Sequence, residues 1–299
     1  MFPKTRIVLT TRSARYTGRL RFAPQLQTVE VTSLDSEQVK QLCSNWSRHR
    51  QRDDEYKAAL MSAVSGLADQ VESGGDDQAL TENPLMLTAI CMVFERYRSL
   101  PDDRGRLCDL LIDDLCRSRR SEDQERGWKL DETAKKDLLQ RIALAMQQEG
   151  AQTWPVGRAI EIATQLVPKL ETSRELRATR YVDWAADHTG ILRFHEGRSG
   201  QEQIRFWHRL FREYLSANRI AHEDSTAEVK INQLWASGRL SNPFWEDVIR
   251  LLPRSLGTIE KARSVLARLQ ELAVDHISHR GRLLGLAGSC PLRWCRSCG

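Results

Sequence analysis

The sequence predicts a mainly α-helical fold, and three observations predict it. From Asp35 to about Asn218 the apolar residues recur at helical spacing almost without interruption. Strand-like runs are confined to the first 34 residues and to a short stretch between Gly190 and Phe206. The region 227–288 returns to helical spacing, as in Trp245, Val248, Ile249 and Leu252, then Ala262, Val265, Leu266, Leu269 and Leu272.

The elements follow in order. Arg6-Ile7-Val8-Leu9-Thr10-Thr11-Arg12 reads as a short buried strand with a polar exit, and 28–34 alternates as a second strand. Asp35 is an N-cap with Gln38 three residues on, the signature of a reciprocal capping pair. Helices are predicted over 35–49, 54–72, 77–81 leading into 84–97, 104–119, 131–149, 155–169, 177–188 and 206–222. Pro155 suits the first position of its helix, where its missing N–H costs nothing. Gly150 and Gly190 stand at helix ends. Gly190-Ile191-Leu192-Arg193-Phe194 and Gln203-Ile204-Arg205-Phe206, separated by the polar segment 196–200, predict a hairpin between two helices. Three helices with such a wing make a winged-helix module. The expected organisation is a strand-bearing segment 1–34, a helical domain 35–150, a winged helix 151–222, α-solenoid-like hairpins 223–288 and an irregular tail 289–299.

Composition narrows the function. The chain of 299 residues is 40% hydrophobic and 28% charged, as soluble globular proteins are. Its longest mainly apolar run, Pro84 to Phe94, is too short to span a bilayer, so no membrane partner is expected. Basic and acidic residues, 45 and 40, are interleaved, a balance that does not call for a nucleic-acid partner. The first residues show no charged-then-apolar leader pattern, so secretion is not expected, and Cys43, Cys91, Cys108 and Cys116 lie in helical patterns. They read as reduced core thiols of a cytoplasmic protein. Cys290, Cys295 and Cys298 crowd the tail without a fourth ligand nearby, which is a poor zinc pattern.

One stretch carries most of the functional information: Phe206-Trp207-His208-Arg209-Leu210-Phe211-Arg212-Glu213-Tyr214-Leu215, closed by Ser216-Ala217. Phe206, Leu210, Phe211, Tyr214 and Leu215 share a helical face, and His208 lies near the start of that helix. Backbone N–H groups and the positive dipole end favour an anion there. An ordinary packed helix whose histidine caps or bonds something nearby fits the spacing equally well. The segment resembles the F-x-H-x-x-F-x-E-Y/F-L-A-A element that closes the winged helix of NACHT-type STAND NTPases. Three further stretches match that pattern in order: the strand ending in Thr10-Thr11-Arg12, the turn Asn83-Pro84-Leu85-Met86-Leu87, and Thr189-Gly190-Ile191-Leu192. The resemblance covers roughly 5–222.

The resemblance implies that 1–34 is the remnant of an α/β NTPase edge carrying the sensor 1 strand. It implies that Arg12 reaches the γ-phosphate, Pro84 packs on adenine and His208 contacts the β-phosphate of ADP. ADP or ATP is the family's cofactor. ADP holds the closed form, and exchange for ATP swings the winged helix away and permits oligomerisation in signalling or defence. A guanidinium at the mouth of a parallel strand suits phosphate, although a surface arginine after an edge strand fits the same spacing, and a proline at a helix start needs no ligand to explain it.

The P-loop G-x-x-x-x-G-K-[ST] has no counterpart, since no glycine in the sequence precedes a lysine. No acidic Walker B strand precedes Ile7. Leu110-Leu111-Ile112-Asp113-Asp114 imitates one but follows the N-P-L element, and its leucines run at helical spacing. The expected protein is therefore a regulatory fragment of a nucleotide switch, catalytically inactive alone, with weak nucleotide affinity or none. Its expected partners are a separate P-loop half or further STAND protomers. The alternatives are a stand-alone helical adaptor and a winged-helix DNA-binding regulator reading bases through Arg209, Arg212 and Arg219.

Overall fold

The computed structural model describes residues 32–69, 81–82, 84–101, 104–117, 132–167, 173–196 and 201–289. The expected sensor strand with Arg12, Asn83, the helix start at 77–80, the polar hairpin tip and the three tail cysteines lie outside them. The chain divides into two compact units, 1–96 and 97–299. Among the described residues the fold is mainly helical with one small sheet.

The N-terminal unit holds α1 (Ser36–His49), α2 (Asp54–Asp69) and α3 (Pro84–Tyr97). Of the expected strand 28–34, only 32–34 are described, and they form no strand. Leu34 instead donates its N–H to the Glu82 carbonyl at 2.8 Å. The capping pair forms as expected: Gln38 N–H donates to Asp35 Oδ1 at 2.8 Å, and Asp35 N–H donates to Gln38 Oε1 at 3.0 Å. Leu60, Val64, Met86, Leu87, Ile90 and Val93 are buried, and Tyr56 meets Phe94 edge-on at 5.3 Å. Cys43 and Cys91 are buried in this core, as the sequence predicts.

The second unit opens with α4 (Arg104–Arg117) and α5 (Glu132–Gln148), then β1 (Trp154–Pro155), α6 (Val156–Leu166) and α7 (Arg174–Asp183). The Asp113-Asp114 stretch lies in α4, where Leu107 and Leu111 are buried and Asp113 pairs with Lys136, so it is helix and not strand. Gly150 ends α5 at φ +65, a backbone conformation that disfavours a side chain. Ala151 N–H then returns to the Met146 carbonyl at 2.9 Å. A wide turn, Trp184–His188, extends α7, with Thr189 N–H reaching the Trp184 carbonyl. Gly190, at φ +66, redirects the chain into the hairpin.

β2 (Leu192–Glu196) and β3 (Glu202–Phe206) form that hairpin, with Leu192 opposite Phe206. β1 adds antiparallel to the other side of β3, giving the order β1-β3-β2. Two expectations are corrected here. Pro155 is not the first helical residue but the N-cap, and it also pairs with Gln203. β1 is an edge strand, where a residue without an N–H is tolerated, and the φ of −57° serves strand exit and helix entry alike. Phe206 does not belong to the following helix but ends β3, because the ladder continues to Trp207, whose N–H donates to the Ile191 carbonyl at 2.8 Å.

α8 (Arg209–Ala221) follows, then α9 (Ala227–Ala236), α10 (Glu246–Ser255), α11 (Ile259–Asp275) and α12 (Arg280–Ser289). α8 is the centre of this unit. Every residue from Leu210 to Ala217 is buried, Arg212, Glu213 and Ser216 included. α5 and α10 pack along it, with α4 and β3 also against it. The C-terminal helices share one apolar core containing Ile231, Leu240, Trp245, Val248, Leu252, Val265 and Leu269. No helix among the described residues is long and apolar enough to cross a membrane.

Candidate functional site

His208 stands between β3 and α8, in extended conformation, and is the N-cap of α8. Strand pairing carries the chain as far as Trp207, and a reversal within two residues leaves the side chain of His208 over the first turn of the helix. Its Nδ1 accepts the Leu210 N–H at 3.1 Å. A ring nitrogen that accepts carries no hydrogen, so in the neutral imidazole the hydrogen sits on Nε2. The ring therefore lies at the positive end of a thirteen-residue helix with its hydrogen on Nε2. It is half-buried.

The surroundings hold this corner rigid. Trp207 lies 5.7 Å from the Phe211 ring, and the Arg193 guanidinium sits 5.2 Å over the Trp207 ring. Arg209 spans its own helix and α10, reaching Glu213 at 3.0 Å and Asp247 at 2.9 Å. Losing the cap through His208→Ala is expected to destabilise the second unit by about 0.5–2 kcal/mol. His208→Asn, which can accept through Oδ1, should recover most of that loss in a urea titration. Equal losses in both variants would show that the cap contributes nothing.

The arginines of α8 have internal occupations. Arg209 is paired as above, and Arg219 meets Asp137 at 2.6 Å, which also takes Arg141 at 2.7 Å. Arg212 is buried, donates through Nη1 to the Ala151 carbonyl at 3.1 Å and lies 4.6 Å over the Phe244 ring. Burial pulls its guanidinium below the usual arginine range, and the neighbouring Glu213 carboxylate opposes that pull. Burial also raises the Tyr214 phenol above its ordinary value, with the Asp109 carboxylate adding to the effect. The sequence signals none of this, because Arg212 and Glu213 look like a solvated face until α5 and α10 are in place.

Pro84 is the first residue of α3 and is exposed, and the Thr88 hydroxyl donates to its carbonyl at 2.7 Å. Pro84 belongs to the N-terminal unit and His208 to the second, and Arg12 lies outside the described residues, so the three are not brought into one geometry. A cleft of about 330 Å³ opens between α4, α5, α8 and α10 and does not include His208. Lys136, His222 and Arg254 line it beside Asp109. α8 and α10 both end there, where the helix dipoles favour basic residues; His222 Nδ1 lies 2.7 Å from the Asn218 carbonyl, and Lys136 pairs with Asp113. Among the described residues no group of three or more His, Cys, Asp or Glu is placed to hold a metal ion. No family model matches the sequence, and no curated protein is similar to it at a significant level.

Proposed function

We propose that this chain is the regulatory part of a NACHT-type STAND nucleotide switch, in which His208 senses the phosphates of bound ADP. The observation that carries the reading is the position of His208. It caps the helix that directly follows the hairpin, at the positive dipole end where a bound anion is favoured. The hairpin β2–β3 between α7 and α8, with β1 added in the sheet order β1-β3-β2, supports reading 151–222 as a winged helix. In such a switch the nucleotide acts through its different affinities for two domain arrangements. Arg12 and Pro84 complete the nucleotide contacts in this reading, together with a P-loop half or with further protomers.

A second reading has its own support. The complete burial of Leu210–Ala217 and the capping bond of His208 are what a stand-alone helical adaptor requires, with no nucleotide at all. The DNA-reading alternative draws no support from α8, whose arginines are engaged within the unit.

Imidazole NMR on the 299-residue chain separates the first two readings. ADP should shift the His208 ring signals while adenosine, which lacks phosphate, leaves them in place. The dissociation constant should be weaker than about 100 μM, because three side chains supply a minority of the contacts a phosphate cradle makes. His208 signals that stay fixed at millimolar ADP would leave the adaptor reading standing and remove the nucleotide one.

A further inference from the structure

At the junction of α5, α8 and the turn Pro243–Trp245, several buried polar atoms make no hydrogen bond within the protein: Arg212 Nε and Nη2, Gln147 Oε1 and Ser216 Oγ. Arg212 is 4% exposed, and Gln147 and Ser216 are 0% exposed. Arg212 and Gln147 converge on Phe244. Gln147 Nε2 donates to the Phe244 carbonyl at 2.7 Å, and the Arg212 guanidinium lies 4.6 Å over the Phe244 ring. Arg212 Nη1 bonds the Ala151 carbonyl, one turn beyond Gln147, and Ser216 follows Arg212 by one turn of α8. Native interiors leave few such atoms unpaired.

We propose that this junction is a buried water-binding site, in which ordered water accepts from Arg212 Nε and Nη2 and donates to Gln147 Oε1. The chemistry selects the ligand. Arg212 offers only donors and Gln147 Oε1 only accepts, so the bound species must both accept and donate. A chloride or carboxylate accepts from Arg212 but cannot serve Gln147 Oε1. Turning the Gln147 amide over does not resolve the mismatch, because Oε1 would then face the Phe244 carbonyl, acceptor against acceptor. Nor is a second anion required for charge, since Glu213 is buried beside Arg212 and favours its charged form. Internal waters of this kind typically make about three hydrogen bonds, the number these groups supply. The joint between the histidine helix and the C-terminal helices is thus wet and polar at its centre.

A high-resolution crystal structure of the intact chain tests this directly. Water density within hydrogen-bonding distance of both Arg212 and Gln147 Oε1 is expected. A direct Arg212–Gln147 bond, a dry junction or an anion in that position overturns the proposal. Thermal unfolding of Arg212→Met, Gln147→Leu and the double variant gives an independent arm. Each single change should lower Tm by about 2–6 °C, and the double variant should lose clearly less than the sum, because both changes remove partners of the same water. Additive losses count against a shared water.

Discussion

Phe211→Ala is expected to destabilise the second unit by about 3–5 kcal/mol, the largest loss of any single change considered for α8. The ring is 0% exposed and sits in the first turns of a helix buried on every side. Truncation removes the apolar transfer energy and leaves a cavity. Collapse into it is hindered, because Trp207 on one side is held by the Ile191 carbonyl and by the Arg193 guanidinium. The comparison with His208→Ala gives the result its meaning. Only two residues lie between the two positions, yet the histidine contributes a cap bond and the phenylalanine a core volume. A urea unfolding series should therefore show Phe211→Ala well below His208→Ala in midpoint, with unchanged slope. Comparable losses would mean that the end of α8 is packed through His208 and that its imidazole is a core group. That outcome would weaken the sensing role proposed for it.

Sequence periodicity carried most of this fold and left a definable remainder. The capping pair of α1, the helix ends at Gly150 and Gly190 and the hairpin between α7 and α8 are local features, each written in a few neighbouring residues. The misplacements are local too. Pro155 and Phe206 each sit at the border of strand and helix, where a single residue satisfies both patterns and long-range pairing decides. The surroundings of α8 were not legible. An apolar face predicts burial on one side, whereas Arg212, Glu213 and Ser216 are buried by helices distant in sequence, with Asp247 and Phe244 as partners or neighbours. At the candidate site the histidine's place at the helix start was readable from spacing. The hydrogen on its Nε2 follows only from the bond its other nitrogen accepts.

Lys230→Met should cost about 2–4 kcal/mol, a large effect for a residue that the sequence gives no reason to single out. Lysine is rarely buried, and this one is 2% exposed. Its ammonium donates to the Glu223 carbonyl at 2.7 Å, the Ser225 carbonyl at 2.6 Å and the Ser225 hydroxyl at 3.2 Å. Three donors thus meet three acceptors, and the loop joining α8 to α9 is tied back onto the helix it leads into. Burial lowers the ammonium's affinity for its proton, and the Glu223 carboxylate opposes that effect. Methionine keeps the apolar stem but none of the donors, so the loop carbonyls lose partners that charge had strengthened. Lys261, exposed on α11, is the reference: the same change there should stay within about 0.5 kcal/mol. If both substitutions fall within that range, the 223–225 loop finds water in place of the ammonium, and the bonds of Lys230 add little to the net stability of the unit. If Lys230→Met alone is costly, the link between the histidine helix and the C-terminal helices depends on one buried charge, and amide exchange should rise first at Glu223–Ala227.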